Sequence, residues 1–189
     1  MTNKPNSREA ILDTASRLFF TQGYHATGLN QIIKDSDSPK GSLYYYFPKG
    51  KEELALTCIN RTSEVVAQKL RYHIESNESS VDAMVDFIRG MAKDAVETSF
   101  KGVVPFSFWL AVETSCISDE LRSACQSVFK DWQEVVMLRL MEEGVEEESA
   151  ADKASIVISL FEGALLQTLT FRDERPLLAA AKMIPVLLG

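Results

Sequence analysis

Hydrophobic positions along the chain recur three and four residues apart, and no run alternates cleanly with period two. The first such segment, SREAILDTASRLFFTQG, opens on Ser7 and stops at Gly23. Ile11, Leu12, Ala15, Leu18 and Phe19 follow the i, i+3, i+4, i+7, i+8 spacing of one buried helix face. Thr27 is placed to cap a short second helix, GLNQIIKDS, whose Leu29, Ile32 and Ile33 turn inward. After the turn Ser36-Asp37-Ser38, Pro39 starts a third helix of about two turns that Pro48 ends. A long helix then runs from Lys51 to about Ser76, and SNESS marks an internal boundary. Five more helices follow, at about 79–98, 104–115, 118–143, 147–171 and 174–188. The pattern predicts an all-α protein of about nine helices. Its N-terminal three-helix domain spans 1–50, a connecting helix spans 51–76, and a C-terminal helical domain spans 77–189.

Pro39 to Lys51, PKGSLYYYFPKGK, holds three lysines, three consecutive tyrosines and no acidic residue, in a chain of 189 residues with net charge -7. Neighbouring helical residues point about 100° apart, so the three tyrosines cannot share one core. Leu43 and Phe47 face the same way, with Tyr46 close beside them. Gly41 and Tyr45 fall opposite, flanked by Ser42 and Tyr44. Helix, short helix, tight turn and short helix make a helix-turn-helix, whose second short helix enters the DNA major groove. Phenolic hydroxyls donate to phosphate oxygens and lysines neutralise phosphate charge. Gly41 and Ser42 permit close seating, and Lys40 and Ser42 reach base edges from there. Thr27 and the backbone N–H groups after it make a helix N-terminus suited to phosphate. A three-helix bundle with exposed tyrosines and no DNA partner stands as the alternative.

Charge sharpens this picture. Residues 1–75 carry ten Lys and Arg against eight Asp and Glu, whereas the remainder carries ten against nineteen. An acidic body argues against nucleic-acid binding over the whole surface and leaves room for a local basic edge at the N-terminal end. The opening MTNKPNSREA is polar, so no signal peptide is expected. IVISLFEGALLQTLTF, interrupted by Glu162 and Gln167, reads as a buried helix rather than a membrane span. A cytoplasmic protein is expected. Cys58, Cys116 and Cys125 form no close pair, and His25 and His73 stand far apart. No metal motif, P-loop, dinucleotide fingerprint or nucleophile elbow is present, so neither enzyme activity nor a cofactor is expected.

T-G-L-N-Q-I-I-K-D-S-D-S-P-K-G-S-L-Y-Y-Y-F-P-K-G-K-E-E-L resembles the N-terminal signature of TetR-family transcriptional regulators over roughly residues 7–57. The spacing from P-K-G-S-L-Y to P-K-G-K-E-E-L, with K-G-V-V-P-F and F-E-G-A-L-L, is most similar to the LmrA/YxaF-like branch. The resemblance implies a homodimeric, all-helical repressor released from its double-stranded operator by a small molecule. It implies DNA roles for Thr27, Gly28, Lys40, Gly41, Ser42, Tyr44, Tyr45, Tyr46 and Lys51. Tyr46 satisfies both readings if its ring packs inward and its hydroxyl stays at the rim. Two departures are visible: the family's turn usually carries Gly and then an apolar residue, where Asp37 and Ser38 stand here. Asp tolerates the left-handed backbone, but its charge near DNA costs affinity.

The second half is rich in large apolar side chains. Phe87, Met91, Phe106, Trp109, Phe129, Trp132 and Phe161 serve either as plain core or as the lining of an apolar ligand pocket, with Glu113 as a polar orienting group. The helix near 147–171 is apolar on two faces and so needs two partners. Ile156, Leu160, Gly163, Ala164 and Gln167, with Leu177, Ala181 and Ile184 of the last helix, are expected to meet a second copy of the chain. The alternative is a larger monomeric core. Three readings stay open: a ligand-responsive DNA-binding repressor, a dimeric small-molecule or partner binder without DNA activity, and an enzyme with a scattered helical site, for which no residue speaks.

Overall fold

The computed structural model describes residues 7–100, 113 and 118–189. It contains eight helices and no strand among the described residues. They are α1 (Ser7–Gln22), α2 (Leu29–Asp35), α3 (Lys40–Tyr46), α4 (Lys51–Ser76), α5 (Ser80–Glu97), α6 (Asp119–Glu142), α7 (Glu147–Phe171) and α8 (Arg175–Leu188). The fold is all-α, as the spacing predicts. The helix expected over 104–115 lies outside the described residues. The chain forms two compact units, Met1–Ser63 with Pro105–Val128, and Glu64–Val104 with Phe129–Gly189.

In the first unit α1 packs on α2 and α3. Its core takes Ile11, Leu12, Ala15, Leu18 and Phe19 from α1, Ile32 from α2, and Leu43 and Phe47 from the end of the motif. Leu54, Ala55, Cys58 and Ile59 complete it from α4. Burial pushes the Cys58 thiol up to about 12, so this cysteine is an inert core group.

The turn between α2 and α3 is a Schellman motif. The Ser38 N–H donates to the Ile33 carbonyl at 3.3 Å, and the Asp37 N–H to that of Lys34 at 3.3 Å. Asp37 occupies the left-handed position with φ 48, where glycine is the usual residue. Asp37→Gly should therefore hold or raise stability by up to about 1 kcal/mol, read from a urea midpoint. It also removes a negative charge from the turn that precedes α3.

In the second unit α5 and α8 pack closely, and α8 also lies along α7. Met84, Phe87 and Ile88 of α5 meet Val157, Phe161 and Leu165 of α7 and Leu177, Ala181 and Ile184 of α8 in one buried core. The Phe87 and Phe161 rings are 5.0 Å apart. By length and composition α7 would suffice to cross a bilayer, yet its inward face is taken up by this core. Glu162 sits on the same helix with Oε1 buried and no hydrogen-bond partner, and burial pushes its carboxyl from 4.5 up to about 7. The folded chain thus holds a proton that the unfolded chain has released, and stability falls as pH rises from about 4.5 through about 7. Glu162→Gln should raise the denaturation free energy at about pH 8, by on the order of 1–3 kcal/mol, and change it little at about pH 4.5. Equilibrium unfolding at the two pH values checks this.

Candidate functional site

The helix-turn-helix presents one side of α3 outward. Leu43 is fully buried and Phe47 nearly so, while Tyr45 is 79% exposed and Tyr44 45% exposed. Tyr46 is half-buried, its ring edge-on to Tyr45 at 5.0 Å. Gly41 is exposed, and a Cβ added there would meet no atom within 4 Å. Lys40 is exposed and Ser42 half-buried beside it. Gly28, the N-cap of α2, is exposed, with extended backbone and no side-chain cap. The outward surface is therefore small residues bordered by phenols and an amine, laid over an apolar underside.

Lys51, at the start of α4, closes one edge. Its ammonium lies 4.3 Å from the centre of the Tyr24 ring and donates to the His25 carbonyl at 3.4 Å. Burial lowers the Lys51 pKa, and the Glu113 carboxylate opposes that shift. Lys49 is more exposed and meets Glu120 at 3.8 Å, a surface pair of little energetic weight. Glu52 instead accepts a short hydrogen bond from the Ser118 hydroxyl.

Three sequence expectations are corrected. Thr27 does not cap α2: it is fully buried and its hydroxyl donates to the Gly23 carbonyl at 2.7 Å, so Gly28 takes the cap and no Thr27 hydroxyl is left to face a phosphate. Glu113 belongs to the first compact unit, where its carboxylate accepts the Tyr24 N–H at 2.5 Å. Leu177, Ala181 and Ile184 are buried in the chain's own core, so that face of α8 is not free to meet a second copy.

The free face of α8 is instead Pro176, Ala179 and Met183. Together with Ser159, Leu160, Gly163, Ala164 and Gln167 of α7 they line a groove of about 370 Å³. Ile156 and Val186 extend the exposed apolar surface of the same two helices. A second cavity, of about 230 Å³, opens between α4 and α5. Phe87 and Met91 line it together with His73, Gly90 and the ion pair of Lys69 with Asp94. A Cβ on Gly90 would lie 3.6 Å from His73 Nε2, an ordinary van der Waals distance. Trp132 and Phe161 are buried deeper in the same unit, and Phe129 lies edge-on to Trp132 at 6.1 Å. Phe106 and Trp109 lie outside the described residues.

Residues 11–58 match the model of the bacterial regulatory proteins of the tetR family, and residues 80–183 match that of the LmrA/YxaF-like transcriptional regulator C-terminal domain. The chain belongs to the TetR family. Among curated TetR-family relatives it is 46% identical to the HTH-type transcriptional regulator YxaF of Bacillus subtilis over 188 residues, covering 99% of this chain and 97% of that protein. It is 40% identical to the regulator LmrA of the same organism, over 97% of each chain. The fold agrees with solved TetR-family structures. Reduced NemR of Escherichia coli superposes with a TM-score of 0.82 at 24% identity, over 97% of this chain and 98% of that one. A regulator from Legionella pneumophila gives the same score and identity over 98% of each. This TetR-family chain is thus a transcriptional regulator with an N-terminal DNA-binding domain, and not an enzyme.

Two features of the regulator's site escaped the sequence pattern. Gln22 and Gln31 exchange side-chain amide hydrogen bonds at 2.9 and 3.2 Å, and Gln22 also donates to the Ala26 carbonyl, tying α1 to α2. The Arg8 guanidinium lies 5.7 Å over the Phe47 ring. Neither has a local sequence signal, because each pair meets only after folding.

Proposed function

We propose that the chain is a cytoplasmic repressor that binds its operator as a homodimer and is released by a small apolar or aromatic molecule. Residues 1–50 are the reading head, 51–76 the connecting helix, and 77–189 the ligand-binding and pairing domain. The observation that carries the DNA reading is the outward side of α3: Lys40 with no ion pair among the described residues, open Gly41, and two exposed phenols. Gly41 and Ser42 seat α3 in the major groove, where Lys40 and Ser42 reach base edges. Gly28, Tyr44, Tyr45, Tyr46 and Lys51 face phosphates.

The α7–α8 groove supports the pairing. Small residues along it let two copies approach closely, and C2 association is the commonest arrangement. The α4–α5 cavity supports the ligand half of the reading, since it combines an aromatic floor with a few polar groups. An effector acts through its differential affinity for the DNA-competent and DNA-incompetent states, typically 1–3 kcal/mol.

A mobility shift on the duplex upstream of the chain's own gene tests the reading. Affinity should fall steeply with salt, because binding releases phosphate counterions and added salt opposes that release. Tyr44→Phe and Lys51→Ala should each weaken binding without unfolding the protein. Unchanged affinity in both would refute the assigned face.

A further inference from the structure

We propose that Glu113 is a positioning residue of the reading head, holding the 23–27 turn so that this turn presents the Lys51 ammonium to DNA. The inference rests on the DNA-binding function proposed above. Glu113 falls within the stretch matched by the C-terminal family model, yet it is part of the same compact unit as α1 to α3.

The connection is built from short, directional contacts. Glu113 Oε2 accepts the Tyr24 N–H at 2.5 Å, across 89 positions of sequence. A hydrogen bond to a charged acceptor is about twice as strong as a neutral one. The other oxygen fills the space beside Gly23, where a Cβ would stand 2.3 Å from Oε1. Gly23 is also left-handed, with φ 88, a backbone conformation that glycine adopts without strain. The turn is then closed from within: the Thr27 N–H donates to the Tyr24 carbonyl at 3.3 Å, and the Thr27 hydroxyl to that of Gly23. Tyr24 leans on Phe19 with ring centres 5.6 Å apart.

Two groups of this pinned turn hold Lys51. The Tyr24 ring lies under its ammonium, and the His25 carbonyl accepts a hydrogen bond from it. An ammonium has three donors, so protons remain for a phosphate. The Glu113 charge also opposes the loss of the Lys51 proton that burial promotes. A carboxylate near DNA would by itself repel phosphate, so a purely electrostatic role for Glu113 predicts tighter binding once the charge is removed. A positioning role predicts the opposite for alanine.

The test is a double-mutant cycle with fluorescence anisotropy on the duplex upstream of the chain's own gene. Glu113→Ala should weaken binding about tenfold in the wild-type background and less than about twofold alongside Lys51→Ala, because the loss runs through Lys51. The slope of log affinity against log salt should become shallower by about one for Glu113→Ala. Glu113→Gln keeps an oxygen acceptor and should stay within about twofold of wild type. An equal loss in both backgrounds overturns the inference, since Glu113 would then act through the fold alone; no loss, or a Gln variant as poor as Ala, overturns it too. The Tyr24 amide proton resonance should move upfield in the Ala variant, and a fixed resonance contradicts the contact itself. If the wild-type chain binds no duplex, the functional reading fails and takes this inference with it. If it binds and the cycle shows no coupling, only the inference fails.

Discussion

Gly41→Glu is expected to abolish operator binding while leaving the protein folded and slightly more stable. The position is helical and exposed, and a Cβ there meets no atom within 4 Å. The new side chain therefore costs no packing, and replacing glycine inside a helix gains roughly 0.5–1 kcal/mol. On DNA the same side chain would stand between α3 and the floor of the groove. It would bring a negative charge against phosphates and leave a carboxylate desolvated without a partner. Like-charge juxtaposition costs several kcal/mol, so a loss of at least about 100-fold is expected. Circular dichroism and a thermal melt check the fold, and anisotropy on operator DNA checks the function. Gly41→Ala serves as the comparison, with a much smaller loss. Wild-type affinity in the Glu variant would place the reading face elsewhere.

Ala179→Glu should convert the regulator to a monomer. Ala179 is exposed on α8 and lines the apolar groove that α8 forms with α7. A carboxylate there would be buried unpaired, twice over, at a two-fold interface. Sedimentation velocity should show two chains for the wild type and one for the variant. Operator affinity should fall by roughly 10²–10⁴, because the second head is no longer tethered to the first. Helical content should be unchanged, since exposed alanine and glutamate differ little in helix propensity. A variant that remains dimeric would move the pairing surface off this groove. Leu177→Glu is the informative contrast. Leu177 is fully buried in the chain's own core, so that variant should unfold the domain rather than merely separate two copies.

This contrast also shows where the sequence was legible. In α3 the apolar and polar positions separate cleanly, and a 3.6-residue period suffices to place Leu43 and Phe47 inside and Tyr45 outside. In α8, RPLLAAAKMIPVLL, nearly every position is apolar, so periodicity names no inward face. Packing against α5 and α7 decides it: Leu177, Ala181 and Ile184 go in, and Ala179 and Met183 stay out. Thr27 misled for another reason. Threonine before a helix satisfies the general preference for N-caps, but here its hydroxyl serves the Gly23 carbonyl and the cap passes to Gly28.

Asp37 was legible as a departure and as its own explanation. The left-handed position it occupies is the one the turn requires, and aspartate is among the few residues besides glycine that tolerate it. Glu113 could not be read from sequence at all. Its partner is a backbone N–H 89 positions away, and a backbone donor leaves no mark in a residue pattern. Helical spacing, one turn on from Trp109, placed it among the aromatic residues of a pocket.

Sedimentation of a labelled duplex from upstream of the chain's own gene, titrated with purified protein at low ionic strength, tests the central claim most directly. The duplex should sediment with two chains, or a multiple of two, and raising the salt should release them. A duplex that sediments as free DNA at every protein concentration would rule out a paired DNA-binding regulator.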